Sequence, residues 1–389
     1  MKRSTDRVLT THAGSLPRPG DLLELIQAKA TGRPYDQDAF AARVRRAVED
    51  IVRKQAELGV DVVDDGEMGK PGFIPYVNER LSGFEPDPQG RISPWSGSRE
   101  VKAFPEFYEW FARAMPSPAV RSLHMVCTGP IAYKGHKHVH ADIENLKASL
   151  GATSAEEAFI PAIWPTSIED WQRNAYYKTD EDYLAAIAEA MHEEYKAIVD
   201  AGFLVQIDDP HLATHYVSRP DLSVDQVRRW AEVRVEALNH ALRGLPRDRI
   251  RWHTCYGINI GPRVHDLELK HFVDVMLKIR AGAYSFEAAN PRHEHEWRVW
   301  ENVKLPEGAV LIPGTITQST VLVEHPELVA DRIGRFARAV GRENVIAGAD
   351  CGFATFAGST EIHPSVVWAK FEALVEGARI ATRQLWGRS

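Results

Sequence analysis

The sequence predicts a single (β/α)8 barrel of the TIM type, an α/β fold that occupies residues 1–389 as one domain. Three observations predict this fold. Eight short apolar runs follow one another along the chain, and most are separated by segments with the 3.6-residue period of amphipathic helices. Residue types that bind metals or substrates stand at the ends of several runs, as they do at the carboxyl ends of barrel strands. No linker, low-complexity tract or internal repeat divides the chain.

The predicted strands end near a glycine, a proline or a polar residue. The first stops at Gly14-Ser15, the second runs into Glu67, and the third stops at Gly129-Pro130. Such residues interrupt regular structure and mark the start of a connection. In chain order the predicted strands are residues 9–15, 60–67, 122–128, 203–207, 251–255, 283–287, 310–315 and 345–351.

Helices are predicted between most of the strands. Residues 36–58 place their apolar side chains on one face, and Gly59 follows where glycine commonly ends a helix. Ser223 and Gln226 have the capping-box spacing that begins another helix. In chain order the predicted helices are residues 21–27, 36–58, 142–150, 180–201, 223–243, 271–280, 326–340 and 363–384.

Two stretches lack this regular pattern. Residues 68–118 contain many prolines, glycines and aromatic residues, and we interpret them as an N-terminal excursion over the barrel mouth. Residues 136–174 are interpreted as irregular apart from one helix. This stretch begins with three closely spaced histidines, His136, His138 and His140. They have no strand-end partner nearby, so a solvated loop is favoured over a metal-binding segment.

Composition and charge exclude several classes of protein. The net charge of −7 and the pI near 6.2 give no electrostatic reason to expect nucleic acid or an anionic membrane as a partner. The polar N-terminus lacks a signal-peptide pattern, and no run approaches the roughly 18 apolar residues of a membrane span. Three cysteines do not form a disulfide framework. We therefore expect a cytoplasmic protein whose cysteines serve catalysis or metal binding.

His253 and Cys255 are the strongest candidate functional residues. They stand two apart in a predicted strand, so their side chains point to the same face. This pair alone is as consistent with core packing as with metal binding. Cys351 and Glu287 end two later strands, and their presence favours metal binding over core packing. The four side chains are predicted to bind Zn2+, with Glu287 as a weak ligand.

The chemistry of this donor set favours a particular kind of reaction. Two thiolates and one imidazole make an electron-rich zinc site, which is poorly suited to generating hydroxide for hydrolysis. It is well suited to holding a further thiol as a reactive thiolate near neutral pH. The sequence therefore predicts alkyl transfer to sulfur, with Glu287 displaced when the substrate thiol binds.

Polar residues at other strand ends are candidates for binding the rest of the substrate. Asp208 and Asp209 precede Pro210, and we expect one of them to receive a substrate amino group while the other caps the following turn. Glu67 has the same two interpretations. Ser15 could donate hydrogen bonds to a substrate carboxylate.

Three further residues are assigned structural roles. Cys127 lies in a predicted strand and is interpreted as a core residue. His293 and His295 alternate with glutamates and are interpreted as the charged start of a helix.

Short motifs spread along most of the chain resemble the catalytic domain of cobalamin-independent methionine synthase. The His-x-Cys, Glu and Cys order is the most specific element of this resemblance. The motifs are Thr11-His12-Ala13-Gly14-Ser15-Leu16-Pro17, Asp65-Gly66-Glu67, Thr128-Gly129-Pro130, Gln206-Ile207-Asp208-Asp209-Pro210, His253-Thr254-Cys255-Tyr256, Ser285-Phe286-Glu287 and Asp350-Cys351-Gly352.

The resemblance implies a (β/α)8 barrel of the methionine synthase and uroporphyrinogen decarboxylase-like type. The zinc ligands of the family fall on His253, Cys255, Glu287 and Cys351. Its homocysteine-binding residues fall on Ser15, Glu67 and Asp208, and His12 in the first motif joins the candidate substrate-binding residues. The implied function is a zinc-dependent S-methyltransferase that makes methionine from a zinc-activated, homocysteine-like thiol. The long form of the family has a second, N-terminal barrel, which nothing in this sequence supplies. The methyl donor is therefore left open between methyltetrahydrofolate and another methyl carrier.

Other functions remain open at this stage. A relative of the family, epoxyalkane:coenzyme M transferase, joins a zinc-bound thiolate to an epoxide, and its sulfonated thiol requires basic residues near the metal. Arg18, Arg121 and Arg263 could serve such an anionic acceptor, whereas Glu67 and Asp208 favour an aminothiol. A metal-free relative of uroporphyrinogen decarboxylase and a non-catalytic, zinc-stabilised barrel are two further hypotheses. The expected partners are a small-molecule thiol and a methyl or alkyl donor, with a homo-oligomer or a methyl-carrier protein left open.

Overall fold

Eleven strands are present in the computed structural model, which describes residues 1–89, 95–114, 124–151, 153–257, 261–359 and 362–387. Eight of them form one parallel sheet and three form a small separate sheet. In chain order the strands are β1 Leu9–Thr10, β2 Val62–Asp64, β3 Phe84–Pro86, β4 Met125–Cys127, β5 Glu157–Ile163, β6 Arg173–Asn174, β7 Leu204–Asp208, β8 Ile250–Thr254, β9 Ala283–Phe286, β10 Val310–Ile316 and β11 Ile346–Ala349.

The eight parallel strands form the barrel that the sequence predicts. Their order around the sheet is β1-β11-β10-β9-β8-β7-β5-β2. The first and last strands meet where the N–H of Asp61 donates to the carbonyl of Thr10 at 3.2 Å, and where Thr11 Oγ1 donates to the carbonyl of Val62 at 2.9 Å. The register pairs Asp208 with His253, and His253 with Ser285. The carboxyl ends of β7, β8 and β9 therefore lie at one level.

Helices connect most of the barrel strands. The side chain of Asp36 caps the helix Gln37–Leu58, and Gly59 ends that helix with a φ of 92°. Ser223 and Gln226 form the predicted capping box of the helix Val224–Ala241. The helices are α1 Gly20–Ala30, α2 Gln37–Leu58, α3 Arg99–Ala103, α4 Pro105–Ala114, α5 His136–Leu150, α6 Pro165–Trp171, α7 Asp180–Asp200, α8 His211–Ser218, α9 Val224–Ala241, α10 Val273–Met276, α11 Pro326–Val340 and α12 Pro364–Trp386. Short 3-10 helices span Pro75–Glu79, Arg247–Arg249, Leu269–His271, Glu294–Glu301 and Arg342–Asn344. None of the helices in the described ranges is long and apolar enough to span a membrane.

The prediction for the third barrel strand is wrong. Within the predicted strand 122–128, Met125–Cys127 pairs with β3 and β6 in the small sheet, and residues 122 and 123 lie outside the described residues. The third barrel strand is Glu157–Ile163, in a stretch interpreted as irregular. Pro161 obscures this strand in the sequence, because proline is rare in central strands. Here β2 ends at Asp64, which pairs with Phe159, so Pro161 lies beyond the ladder between β5 and β2.

The predicted excursion lies against loops at the carboxyl ends of the strands. Glu100 of α3 accepts hydrogen bonds from the N–H of Arg263 at 3.1 Å and from the N–H of His265 at 2.7 Å, in the loop after β8. Gly72 bridges to Phe356 in the loop after β11. The described part of residues 68–118 therefore covers the barrel mouth, and residues 90–94 and 115–118 lie outside the described residues.

The two faces of the barrel strands have different environments. Trp252 and Tyr284 point outwards into the large apolar core between sheet and helices. Alternate positions of the same strands point inwards, where small apolar clusters such as Val310 with Ile312 fill the barrel. The inward positions of β8 bring Arg251 and His253 to this interior, and His253 is the one nearer the mouth.

Candidate functional site

His253, Cys255 and Cys351 converge at the barrel mouth. One ligand atom from each lies within 4.8 Å of the others, and all three side chains are buried. His253 belongs to β8 and Cys255 directly follows it, so the alternation of a strand places both on one side. Cys351 comes two residues after the end of β11, a strand that lies between β1 and β10 in the barrel. The structure thus brings together three of the four predicted metal ligands.

The imidazole of His253 is oriented as a metal-binding histidine would be. Its Nδ1 lies 3.0 Å from Ser285 Oγ. Its Nε2 is buried and has no hydrogen-bond partner among the described residues. Burial, with a smaller contribution from the charge of Arg251, lowers the pKa of His253 to about 3. A neutral ring that donates from Nδ1 to Ser285 would present the lone pair of Nε2 to a cation.

The two sulfurs complete a donor set that fits a soft metal ion. The hydrogen bond with Cys255, followed by burial, raises the pKa of Cys351 well above its usual value. Two adjacent thiolates are therefore unfavourable unless a cation lies between them. Nitrogen and sulfur donors in this ratio are preferred by zinc and similar ions rather than by magnesium or calcium.

Glu287, the fourth predicted ligand, is not part of the three-residue cluster. Its Oε1 accepts a hydrogen bond from the N–H of Tyr256 at 2.7 Å. Its Oε2 accepts one from Asn290 Nδ2 at 2.6 Å and lies 2.9 Å from Arg263 Nη2. Burial raises the pKa of Glu287 to about 7, although Arg263 acts in the opposite direction. Its role as a metal ligand stays a prediction.

Asp350 fixes the loop that follows Glu287, a role that sequence reasoning missed. Its Oδ1 accepts hydrogen bonds from the N–H groups of Ala288 at 2.7 Å and Ala289 at 2.8 Å, and its Oδ2 accepts one from the N–H of Asn290 at 3.0 Å. The only signal in the sequence is a polar residue at a strand end, directly before Cys351. The contact ties the carboxyl ends of β9 and β11 together.

Glu67 and Asp208 form an acidic group near the same mouth. Glu67 has a φ of 55°, unusual for a residue other than glycine, and its Oε2 has no hydrogen-bond partner among the described residues. Asp208 Oδ1 accepts a hydrogen bond from Gln206 Nε2 at 2.7 Å. Burial and then the charge of Glu67 raise the pKa of Asp208 well above its usual value. A cationic group between the two buried side chains would favour the ionised form of Asp208.

Ser15 lies against the turn after Cys351. A Cβ atom on Gly352 would lie 2.1 Å from Ser15 Oγ, so this close approach requires glycine. The carbonyl of Ser15 accepts a hydrogen bond from the N–H of Phe353 at 2.9 Å. On the other side of Ser15, a Cβ atom on Gly14 would lie 3.2 Å from Glu67 Oε1. Ser15 therefore lies between the acidic group and the cysteine turn.

Both ring nitrogens of His12 are occupied by protein groups. Nδ1 accepts a hydrogen bond from the N–H of Gly14 at 3.2 Å, and Nε2 lies 2.8 Å from Gln55 Oε1. Gln55 Oε1 also accepts from the N–H of Asp64, so His12 carries its proton on Nε2. Burial lowers the pKa of His12 to about 3. In this arrangement His12 supports the Gly14 turn and offers no free nitrogen to a substrate.

The structure decides which of the two neighbouring aspartates caps the next helix. Asp209 Oδ1 accepts hydrogen bonds from the N–H groups of His211 at 2.8 Å and Leu212 at 2.9 Å, at the start of α8. Asp208 is left beside Glu67. Asp209 therefore takes the capping role, and binding of a substrate amino group by Asp208 stays a prediction.

The remaining histidine and cysteine predictions have mixed outcomes. Cys127 is fully buried, as expected of a core residue. The prediction of a loop for His136, His138 and His140 is wrong, because they form the first turns of α5. His293 does precede a 3-10 helix, but it is buried between Asp266 and Glu296. These two carboxylates raise its pKa to about 9 against the effect of burial.

Two of the three arginines considered for an anionic acceptor are engaged by the protein itself. Arg18 donates to the carbonyls of Glu67 at 2.8 Å and Ala354 at 2.7 Å. Arg263 Nη2 lies 2.9 Å from Glu287 Oε2, whereas its buried Nη1 has no hydrogen-bond partner among the described residues. Arg121 lies outside the described residues.

The chain is similar to known methionine synthases over most of its length. The family model described as the catalytic domain of cobalamin-independent synthase matches residues 8–104 and 120–370. The methionine synthase of Thermococcus kodakarensis is 26% identical over 377 residues, which cover 97% of this chain and 94% of that protein. The methionine synthase of Saccharolobus islandicus is 26% identical over 379 residues, which cover 97% of this chain and 95% of that protein.

Solved structures show the same fold. A B12-independent methionine synthase from Shewanella sp. W3-18-1, in complex with selenomethionine, has a TM-score of 0.72 and is 21% identical, covering 98% of this chain and 100% of that chain. A putative B12-independent methionine synthase from Listeria monocytogenes has a TM-score of 0.65 and is 19% identical, covering 96% of this chain and 98% of that chain. Because the family model spans most of the sequence, this chain belongs to the cobalamin-independent methionine synthase family.

Proposed function

We propose that this protein is a zinc-dependent methyltransferase that transfers a methyl group to the sulfur of homocysteine or a closely similar aminothiol. The observation that carries the proposal is the convergence of His253, Cys255 and Cys351 within 4.8 Å at the barrel mouth. The homologous methionine synthases support methyl transfer to homocysteine as the reaction. Zinc, the three ligands and the substrate contacts below are parts of the proposal.

The residues around the metal position would prepare it for a thiol. Bound zinc would lower the pKa of the substrate thiol and keep it as a thiolate near neutral pH. Ser285 contacts Nδ1 of His253 and leaves Nε2 as the nitrogen that would bind the metal. Asp350 holds the loop between Glu287 and Asn290 and thereby fixes one wall of the site.

The polar end of the substrate would be recognised by Glu67, Asp208 and Ser15. An ammonium group between Glu67 and Asp208 would supply the Oε2 atom of Glu67 with the hydrogen bond it lacks among the described residues. Ser15, adjacent to the Cys351 turn, could donate its hydroxyl to the substrate carboxylate. His12 would act indirectly, by supporting the turn at Gly14.

These contacts also disfavour the epoxide-opening alternative. A sulfonated thiol such as coenzyme M would need free basic groups. The guanidinium of Arg18 is bonded to backbone carbonyls, and Arg263, whose Nη1 has no hydrogen-bond partner among the described residues, lies 2.9 Å from the carboxylate of Glu287. The buried carboxylates would repel a sulfonate. In this proposal the methyl donor is methyltetrahydrofolate or another methyl carrier, and a cytoplasmic location stays a prediction.

Metal content and X-ray absorption at the zinc edge test the proposal. The purified protein should hold one zinc per chain, and L-homocysteine should add a sulfur to the metal's coordination sphere, whereas coenzyme M should not. The Cys351→Ser variant should lose bound zinc, while the Cys127→Ser variant serves as a control for a buried cysteine outside the site. Retention of stoichiometric zinc by Cys351→Ser would refute the ligand assignment, and a new Zn–S bond with coenzyme M alone would favour the alternative.

A further inference from the structure

Arg18 connects the two loops that would hold opposite ends of the proposed substrate. Its Nε and Nη2 donate to the carbonyl of Glu67 at 3.1 and 2.8 Å, and its Nη1 donates to the carbonyl of Ala354 at 2.7 Å. Glu67 belongs to the acidic group, and Ala354 lies three residues after Cys351. A guanidinium can make these contacts at the same time because its donors form a rigid, planar fork.

The arginine bonds to the backbone of Glu67 and leaves the carboxylate of that residue available. Oε2 of Glu67 is buried and has no hydrogen-bond partner among the described residues, although a guanidinium lies beside its carbonyl. A buried carboxylate oxygen without a partner is costly, so this atom fits a site for an external cationic group. The contact of Arg18 with the carbonyl therefore places the carboxylate without occupying it.

Glu67 has a backbone conformation that depends on support from its surroundings. Its φ of 55° lies in the left-handed region, which residues other than glycine rarely adopt. Its carbonyl accepts from Arg18 and from the N–H of Lys70 at 3.1 Å, and its own N–H donates to Asp65 Oδ1 at 2.9 Å. Strained residues persist where the neighbouring contacts fix them. Of these contacts, those made by Arg18 come from outside residues 65–70.

The segment that leads into Arg18 binds the same two loops. The carbonyl of Ser15 accepts a hydrogen bond from the N–H of Phe353 at 2.9 Å, and the N–H of Leu16 donates to the carbonyl of Gly66 at 3.2 Å. Leu16 and Arg18 are both buried. The segment therefore lies between the two loops, and water competes little with the bridge that it makes.

The charge of Arg18 is compensated by acidic residues around it. Burial lowers its pKa, whereas the charges of Glu67, Asp65 and Asp64 act in the opposite direction. A lysine at this position would retain the positive charge, but it would lack the fork of donors that reaches two carbonyls at once. The shape of the arginine side chain therefore matters in addition to its charge.

We propose that Arg18 is a positioning residue that fixes the carboxylate of Glu67 relative to the loop of Cys351, so that one aminothiol can reach both. The inference rests on the proposed function, because it concerns the same thiol site. Its consequence is selectivity. Loss of the bridge should penalise an acceptor that uses both ends of the site and should spare a thiol without an amino group.

Thiol binding to the zinc-loaded, full-length protein tests this inference without a methyl donor. Isothermal titration calorimetry gives the Kd of L-homocysteine and that of 4-mercaptobutanoate, which lacks only the amino group. The variants are Arg18→Met, Arg18→Lys, Glu67→Gln and the double variant Arg18→Lys with Glu67→Gln. Arg99→Met is the matched control, because Arg99 also joins two backbone carbonyls, those of Tyr216 at 2.9 Å and Leu222 at 2.6 Å.

Arg18→Met and Arg18→Lys should each weaken L-homocysteine binding by about 10-fold, because misplacement of the Glu67 carboxylate costs a charge-assisted contact. Neither should change the Kd of 4-mercaptobutanoate or the zinc content, because the three proposed metal ligands are retained. In the Glu67→Gln background, the change at Arg18 should cause no further loss. Arg99→Met should bind both thiols as wild type does. Circular dichroism checks folding, and Arg18→Lys, which keeps the buried charge, decides the question if Arg18→Met does not fold.

Three results would overturn the inference. Wild-type affinity of Arg18→Lys for L-homocysteine would remove the positioning role, and equal weakening of both thiols would assign Arg18 to the metal loop or to the fold. A further loss in the Glu67→Gln background would show that Arg18 does not act through Glu67. Each of these results leaves the proposed function intact. A wild-type protein that holds zinc but does not bind L-homocysteine would instead refute the proposed function itself.

Discussion

Ser285 Oγ lies 3.0 Å from His253 Nδ1, on the neighbouring strand and at the same level of the barrel. Ser285 is not a proposed metal ligand, but its hydroxyl contacts Nδ1 of His253, the ring nitrogen opposite the proposed metal-binding atom Nε2. Groups in this position fix the tautomer and the ring orientation of metal-binding histidines. We therefore expect Ser285 to influence metal affinity.

Ser285→Ala should therefore weaken zinc binding by about 10- to 100-fold while leaving the three ligands in place. The measurement is competition for zinc with a chromophoric chelator. Ser149→Ala, which removes a buried hydroxyl that bonds within α5, is the control and should bind zinc as wild type does. Equal affinities for Ser285→Ala and wild type would show that the hydroxyl does not orient the ring.

Asp350 should contribute to stability through the hydrogen bonds that it accepts from three backbone N–H groups. Asp350→Asn replaces one carboxylate oxygen with an amide donor that faces the N–H of Asn290, so the free energy of unfolding should fall by about 1–3 kcal/mol. Denaturant unfolding of the metal-free protein measures this. Asp331→Asn, at an exposed position of α11, should change stability by less than about 0.5 kcal/mol. A neutral effect at Asp350 would mean that the loop after Glu287 is held by other contacts.

Local periodicity explains why the core of the site could be predicted from the sequence. His253 and Cys255 are two residues apart, and a strand places such residues on one face whatever the rest of the fold does. Cys351 required only the further rule that the carboxyl ends of barrel strands meet at one mouth. The structure brings these three together, and the fold prediction is confirmed.

Features set by contacts distant in sequence were not predictable in this way. Arg263 stands in a loop, and no local pattern shows that it faces Glu287 rather than solvent. Strand β5 was missed because Pro161 argues against a central strand, and the early end of β2 becomes visible only in the assembled sheet. His293 looked like part of a charged helix start because its burial depends on Asp266, in a different loop.

His293 predicts how stability depends on pH. Its pKa is raised from the usual 6.5 to about 9 by hydrogen bonds with Asp266 and Glu296 that outweigh burial. Because the folded-state pKa is the higher one, the stabilisation should be complete below pH 6.5 and should disappear as pH rises through 9. The difference in unfolding free energy between wild type and His293→Gln should thus shrink by about 3 kcal/mol over this range. A difference that is constant from pH 6 to pH 9.5 would contradict the charged state of His293.

Asp208 should determine selectivity for the amino group of the acceptor. In Asp208→Asn, kcat/KM for L-homocysteine should fall by roughly 10- to 100-fold, since one charge-assisted contact with the ammonium group is lost. The matched control is the substrate rather than the protein: 4-mercaptobutanoate has the same thiol and carboxylate but no amino group. Its turnover should be slow with wild type and should not fall further in Asp208→Asn. If both acceptors lost activity to the same extent, Asp208 would act on the metal site or the fold, and the ammonium group would have to be placed elsewhere.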